Sequence, residues 1–211
     1  MNSVSFVPMG GVMMPRKGLS GEDILEAALD LIQEEGYASF SLRALSKRLL
    51  VQPASLYNHV EGLTALTEAV ASRVALDLKA ELEQAAAGLP EPEAFRAALL
   101  AYRRFAQQKP ELYKALMDQP QRPQTVQSPA FHEILRPVHR IVLACLPEGD
   151  QALHYMRTLR AGVHGFVCLE AAGFMNRGRA APQESYDFFI RSQWTLLQAL
   201  CQANGATAEK E

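Results

Sequence analysis

The chain reads as an all-α protein, a small three-helix unit at the N-terminus followed by a larger helical body. Apolar residues recur every three or four positions, as in Ile24, Ala28, Leu31 and Ile32, or Leu63, Leu66, Val70, Val74 and Leu78. Helix breakers punctuate those stretches at Gly36, Pro53, Gly88, Pro90, Pro110 and Pro182. No alternating strand pattern and no internal repeat stands out.

Order is expected to begin at Ser20, an N-cap with Asp23 three residues on, and the first helix to stop at Gly36. Ser41 caps a second helix from Leu42 to about Leu49. Pro53 suits the first turn of a third, running through about Val60. A fourth runs from Leu63 to about Ala87. In the body, helices are expected from Pro92 to Gln108, Pro110 to Met117, Phe131 to Leu146 with a kink at Pro137, Gln151 to Met175 and Gln183 to Ala203. Residues 1–19 read as a flexible extension carrying Arg16 and Lys17, with Met14 a second candidate start. The unit boundaries are then 20–66 and 67–203, with 204–211 a tail.

Charge is balanced, 21 Lys+Arg against 23 Asp+Glu, so any nucleic-acid surface must be local. No apolar run approaches the ~18 residues of a membrane span. Residues 1–18 lack the order of a signal peptide. Cys145, Cys168 and Cys201 are far apart and odd in number, which argues against a disulfide framework and for a reducing cytoplasm.

The informative stretch is Phe40–Val60. Two short helices joined by about three residues have helix-turn-helix spacing. Residues 41–60 hold Arg43, Lys47 and Arg48 and no acid, whereas the first helix carries Glu22, Asp23, Glu26, Asp30, Glu34 and Glu35. Positive charge is thus concentrated where a DNA backbone would lie. On the third helix, Pro53, Leu56 and Val60 fall on one side, to pack on Leu45 and Leu49. Gln52, Ala54, Ser55, Asn58 and His59 fall on the other, with Tyr57 at the edge. A short-chained polar face suits a major groove. Asn and Gln can pair with adenine, an alanine methyl suits thymine, and Tyr57 can reach a phosphate.

Gly36-Tyr37, then Phe40-Ser-Leu-Arg-Ala-Leu-Ser-Lys-Arg-Leu, then Val51-Gln-Pro-Ala-Ser-Leu-Tyr-Asn-His-Val, then Leu66, resembles the DNA-binding domain of tetracycline-repressor-like (TetR-family) transcriptional regulators. The match runs from about Ser20 to Leu66. The resemblance implies a helix-turn-helix head reading a near-palindromic operator in double-stranded DNA. It also implies a helical body that dimerises through its last two long helices and binds a small-molecule effector. The implied DNA contacts are Ser41, Arg43, Lys47, Gln52, Pro53, Ala54, Ser55, Tyr57, Asn58 and His59, with Tyr57 and His59 toward backbone and Gln52, Ala54, Ser55 and Asn58 toward bases. Two positions depart from the family. Leu50 stands where a turn glycine is common, so it is expected to avoid a left-handed backbone or to bear one at some cost. Leu63 stands where a phosphate-touching lysine is common, which leaves the helix N-terminus behind Gly62 to hold a phosphate.

Ala101–Met117 and Leu159–Phe174, around a His164-Gly165 pair, are similar to a subset of the family's ligand-binding domains. Tyr102, Phe105, Tyr113, Met117, Tyr155, Met156 and His164 are candidate effector contacts. They are expected to line a mainly apolar cavity near Pro137, suited to an aromatic or lipophilic molecule. The loop 118–129 is a candidate gate. Gly162 and Gly165 are expected to let helices pack closely. Leu159, Val163, Phe166, Phe189, Trp194 and Leu197 are expected at a two-fold interface, making the protein a homodimer. His164 and Cys168 share a helix face and would suit a soft metal with Cys201 as third ligand, but a structural histidine and buried thiols are the commoner outcome. No metal and no cofactor is therefore assigned. A helical-bundle enzyme is the competing class; no motif places a nucleophile beside a base.

Overall fold

The structure, a computed structural model, describes residues 19–118, 133–176 and 178–208, the last four of these in backbone only. The basic arm, most of loop 118–129, Phe131 and Arg177 lie outside the described residues. Every regular element among those described is helical.

α1 (Gly21–Glu35) opens on a reciprocal cap: Asp23 N donates to Ser20 Oγ at 3.1 Å and Ser20 N to Asp23 Oδ2 at 3.0 Å. It stops at Gly36, whose φ of 88° no β-carbon has to share, and a 3₁₀ turn (Tyr37–Ser39) follows. α2 (Leu42–Arg48) starts on Ser41, whose Oγ accepts from Ala44 N at 3.2 Å. α3 (Pro53–Leu56) is shorter than the expected run to Val60. Beyond it the chain tightens into turns, and His59 N and Val60 N both reach Leu56 O, at 2.9 and 3.0 Å. Pro53, expected to pack inward, is exposed, and Leu56 alone of α3 is buried.

Leu50 does take the left-handed backbone, with φ 54°. Val51 N donates to Ser46 O at 3.0 Å and Leu50 N to Lys47 O at 3.3 Å. That pair of bonds closes α2 by a Schellman motif, whose geometry demands a left-handed residue after the cap. The Leu50 side chain is 93% exposed, so its cost is local to its own backbone.

α4 (Leu63–Ala86) belongs to both halves, and the expected boundary after Leu66 falls inside it. Ile24, Leu31, Ile32, Leu45 and Leu56 of the head, Leu66, Val70, Val74 and Leu78 of α4, and Phe95, Leu99, Phe105 and Leu159 of the body form one continuous buried cluster. Arg73 of α4 adds ion pairs to Glu22 (3.0 Å) and Glu26 (2.7 Å) of α1.

The body continues with α5 (Glu91–Gln108), α6 (Pro110–Met117), α7 (Arg136–Leu143), α8 (Asp150–Ala171) and α9 (Pro182–Ala208). In place of the kink expected at Pro137 there is a break just ahead of it: Glu133 is helical and Ile134 and Leu135 form a turn. α7 begins at Arg136, so Pro137 sits in the first turn, where a missing N–H costs nothing. α8 ends earlier than expected, turning at Gly173 (φ 77°) into a 3₁₀ turn (Phe174–Asn176). α9 runs on through the first residues of the expected tail. α8 and α9 approach closely at Gly162, where an added β-carbon would meet the Phe189 ring at 2.6 Å; nothing lies so near Gly165. Buried Arg103 of α5 ties both helices down, donating to Glu170 at 2.7 and 2.5 Å and to Gln183. Cys145 and Cys201, far apart in a sequence that argues against a disulfide framework, are brought together where α9 passes the end of α7.

The Leu50 backbone yields a stability prediction. A left-handed non-glycine residue costs roughly 1–2 kcal/mol, and glycine gives back roughly 0.5–1 kcal/mol of that through the unfolded chain. Leu50→Gly should therefore raise unfolding free energy by about 0.5–1 kcal/mol in a urea titration. A loss of stability instead would mean that the side chain makes contacts its exposure does not reveal.

Candidate nucleic-acid interface and body site

The head presents one face of α2 and α3. Leu45 and Leu56 are buried in the common core, with α2 packed on α1 and α3 on α2, and Leu49, Val51 and Val60 are partly buried against that core. Outside that core, Ser41, Arg43, Lys47 and Pro53 line one open groove, joined by Ala44, Ser46 and Val51. Gln52, Ala54, Tyr57, Asn58 and His59 are exposed beside it and Ser55 half-exposed. All ten sequence-derived contact residues thus lie on the head's outer surface, while Ala44, one turn before Lys47 on α2, and Val51, just past the left-handed Leu50, also line the groove and were not singled out in the sequence.

The three cations differ. Arg48 turns back onto α1 and donates through both terminal nitrogens to Glu34, at 2.7 and 2.9 Å, with Asp30 at 3.7 Å. The hydrogen bond from Arg48 holds the Glu34 carboxyl below the usual carboxylate range. Arg48 is therefore spent within the head, against the expectation that it would share the ionic attraction. Arg43 and Lys47 are exposed, and among the described residues neither makes an ion pair. Leu63, 40% exposed, opens α4 after Gly62, with no acidic residue in that first turn.

In the body, Tyr102 and Tyr113 are buried and their hydroxyls lie 3.1 Å apart. Tyr113 OH is 2.7 Å from His164 Nδ1, and His164 is 3.6 Å from Cys168 Sγ. Every hydroxyl is satisfied when Tyr102 donates to Tyr113 and Tyr113 to a neutral His164. Burial pushes the Tyr102 phenol up to about 12, raises Tyr113 as well, and lowers His164. Three elements, α5, α6 and α8, thus meet in one polar chain that runs from buried Tyr102 and Tyr113 to half-buried His164.

The other expected effector residues divide. Phe105 is buried with Lys109 Nζ 4.7 Å from its ring centroid. Tyr155 is buried and donates to Gln193 O of α9 at 3.0 Å. Met117 and Met156 are half-buried against the common core. The metal alternative loses its third ligand, because Cys201 stands with Cys145.

Leu159, Val163 and Leu197, expected at a two-fold interface, are fully buried inside the protomer, and Trp194 leans on Phe95 at 5.3 Å. The apolar groups that remain uncovered on and between α8 and α9 are Leu153, Leu169, Phe174, Phe188 and Leu196; Phe174 and Phe188 are 70% and 66% exposed. The sequence shows that these helices have apolar faces, but not whether such a face turns inward or toward a second copy.

A helix-turn-helix head with an exposed polar face, fused through a long helix to an all-helical body, defines the class of one-chain DNA-binding regulators. Known proteins bear this out. The family model described as "Bacterial regulatory proteins, tetR family" matches residues 24–74, and "Tetracyclin repressor-like, C-terminal domain" matches 95–193. The chain is 34% identical to an uncharacterized HTH-type transcriptional regulator, Rv0681, of Mycobacterium tuberculosis, over 78% of this chain and 76% of that one. It is 32% identical to another, YobS of Bacillus subtilis, over 85% and 93%. A solved protein of unknown function from Rhodococcus sp. RHA1 superposes with TM-score 0.72 at 25% identity, covering 86% of this chain and 97% of that one. BioQ, solved with its double-stranded DNA operator, superposes with TM-score 0.60 at 22% identity over 85% and 98%. The chain belongs to the TetR family of transcriptional regulators. No helix among the described residues is long and apolar enough to cross a membrane.

The polar chain has a pH signature. His164 in the folded protein is held below its ordinary value of 6.5 by burial. Between the folded and ordinary values the unfolded chain binds more protons, so stability rises with pH there and is lost as pH falls through the folded value. Wild type should lose more thermal stability from about pH 7 to about pH 5 than His164→Gln, which takes up no proton. Parallel pH profiles for the two proteins would show that His164 is not held neutral.

Proposed function

We propose that the protein is a homodimeric, cytoplasmic repressor that binds a near-palindromic operator through residues 20–66 and is released when residues 67–203 bind a small apolar or aromatic effector. The observation that carries this reading is the exposed α2–α3 face, where Arg43 and Lys47 stand without ion pairs beside Gln52, Ala54, Ser55, Tyr57, Asn58 and His59. Asn58, with a donor and an acceptor, reads a base; Tyr57 holds a phosphate; Lys47 and Arg43 supply ionic attraction. That BioQ was solved on its operator lends support through the shared fold. Two heads in successive major grooves stand about 34–36 Å apart.

The dimer is supported by Phe188 and Leu196, which leave apolar surface on α9 that a monomer would expose to water. The effector site is centred on the Tyr102–Tyr113–His164 chain. Phe105, Met117, Tyr155 and Met156 supply the apolar surroundings of the same body.

Operator titrations at several salt concentrations test the head. Asn58→Ala should cost roughly 1–3 kcal/mol per half-site and relax preference at one base pair. Tyr57→Phe should weaken all sequences alike by about 1 kcal/mol. Lys47→Ala should reduce the salt slope by about one for each phosphate left without its lysine, whereas Arg48→Ala should act through head stability and leave the slope alone. Were Asn58→Ala and Tyr57→Phe both without effect, α3 would not be the recognition helix. For the assembly, sedimentation at micromolar concentration should give a dimer that Phe188→Asp converts to a folded monomer. A wild-type monomer would refute the two-fold interface.

A further inference from the structure

Cys145 and Cys201 lie far apart in sequence yet meet in the fold. Cys145 follows the last turn of α7, its amide donating to Val142 O at 3.1 Å. Cys201 is on α9, one turn past buried Leu197 and on the inner face shared with Tyr186 and Ile190. Their Cα atoms are 5.4 Å apart and their sulfurs are in direct contact. Disulfides span Cα separations of about 4.4–6.8 Å, so the bond needs no rearrangement of the backbone. Both side chains are half-buried rather than sealed, which leaves them open to a small thiol reagent. The third cysteine, Cys168, is exposed on α8 beside His164 and takes no part in the pair.

We propose that Cys145 and Cys201 form a reversible disulfide within one protomer, made by exchange with a low-molecular-weight disulfide, that ties α9 to the end of α7. The thiolate of one cysteine attacks a sulfur of the small disulfide, expels one small thiolate and leaves a mixed disulfide. The second cysteine thiolate attacks the protein sulfur of that bond and expels the other. Two protein thiols lose two electrons and two protons in total, and the small disulfide gains both as two thiols.

The position gives the bond mechanical weight. The first half of α9 is already held to the core by Arg96–Asp187 (2.9 Å), Tyr186 OH on Leu99 O (2.8 Å) and Tyr155 OH on Gln193 O (3.0 Å). The bond adds a tie beyond Leu197, closing a loop of 56 residues that the unfolded chain would otherwise sample freely. It fastens the helix that carries Phe188 and Leu196 to the helix that packs on α4 and α5.

The test uses the full chain, treated natively with oxidised glutathione and then with dithiothreitol, with thiol counting, non-reducing peptide mapping and thermal melts. The oxidised protein should keep one reactive thiol, at Cys168, of its three cysteines, and yield a Cys145–Cys201 linked peptide from a single chain. Reduction should restore all three thiols and lower the melting temperature by on the order of 5–10 °C. Cys145→Ser and Cys201→Ser should each abolish that difference, and Cys168→Ser should keep it. The proposal is overturned if three thiols survive oxidation, if a glutathione adduct persists without closing, or if Cys168 or a second chain enters the bond. A bond that forms without moving the melt would equally overturn the tie. Wild type in its two redox states carries the result even if a serine variant fails to fold.

Discussion

The rest of the structure depends on one constraint: α4 is built into two cores at once. Leu66 and Val70 are buried with the head helices and Leu78 and Leu82 with the body, and the apolar cluster has no seam between them. Close-packed interiors do not deform gradually, so a head seated on such a helix takes its orientation from the body. The polar contacts reinforce this. Arg73 grips Glu22 and Glu26 of α1, and Tyr37 N donates to Glu111 of α6 at 2.9 Å. The hydrogen bond from Lys114, then that from Tyr37, holds the Glu111 carboxyl below its usual range, so this contact is charge-assisted. Exposed ion pairs of this kind stabilise little individually. Their value lies in fixing an angle that the shared core already restricts.

Charge follows the same division. The outer face of α1 is acidic, and Arg48 and Arg73 are neutralised against it. Arg43 and Lys47 are left facing outward on the groove side. The net charge of −2 therefore says little about what the head can bind; what matters is that α1 neutralises Arg48 and Arg73 and leaves Arg43 and Lys47 of α2 positive beside an uncharged α3.

Much of this is legible in the sequence, for identifiable reasons. Caps are local: Ser20 with Asp23, Ser41, and Pro53 act within one turn, so the starts of α1, α2 and α3 can be read directly. Period shows that these helices have apolar faces but not whether a given face turns to its own protomer or to a partner, and so Leu159, Val163 and Leu197 read as interface residues while Phe174 and Phe188 give no such signal. Pro137 is ambiguous, because a proline inside a helix and one in its first turn look alike until the helix start is known. Arg48 reads as a free cation because its partner Glu34 lies on another helix. The Cys145–Cys201 pair is invisible for the same reason: spacing carries no information about which chain segments return to one another. Leu50 breaks a local rule, and the two backbone bonds that require its conformation belong to a motif whose usual residue is glycine.

α6 is short, yet it joins three parts of the molecule. Glu111 holds the head at Tyr37, Leu112 and Leu116 pack into the shared core against α4, and Tyr113 reaches His164 on α8. A ligand that entered the body between Tyr113 and His164 would have to displace a 2.7 Å hydrogen bond and shift either α6 or α8. α8 is the harder to move, because the buried Arg103–Glu170 pair fixes it to α5 and Gly162 lets Phe189 of α9 lock against it. Breaking a buried ion pair costs several kcal/mol, whereas sliding a two-turn helix costs mainly rearranged apolar contacts. Movement would therefore fall on α6, and Glu111 would carry it to the turn between α1 and α2. On the proposed reading, that turn orients the recognition surface. The helix that closes the body's polar chain is thus also the one whose Glu111 holds the turn between α1 and α2.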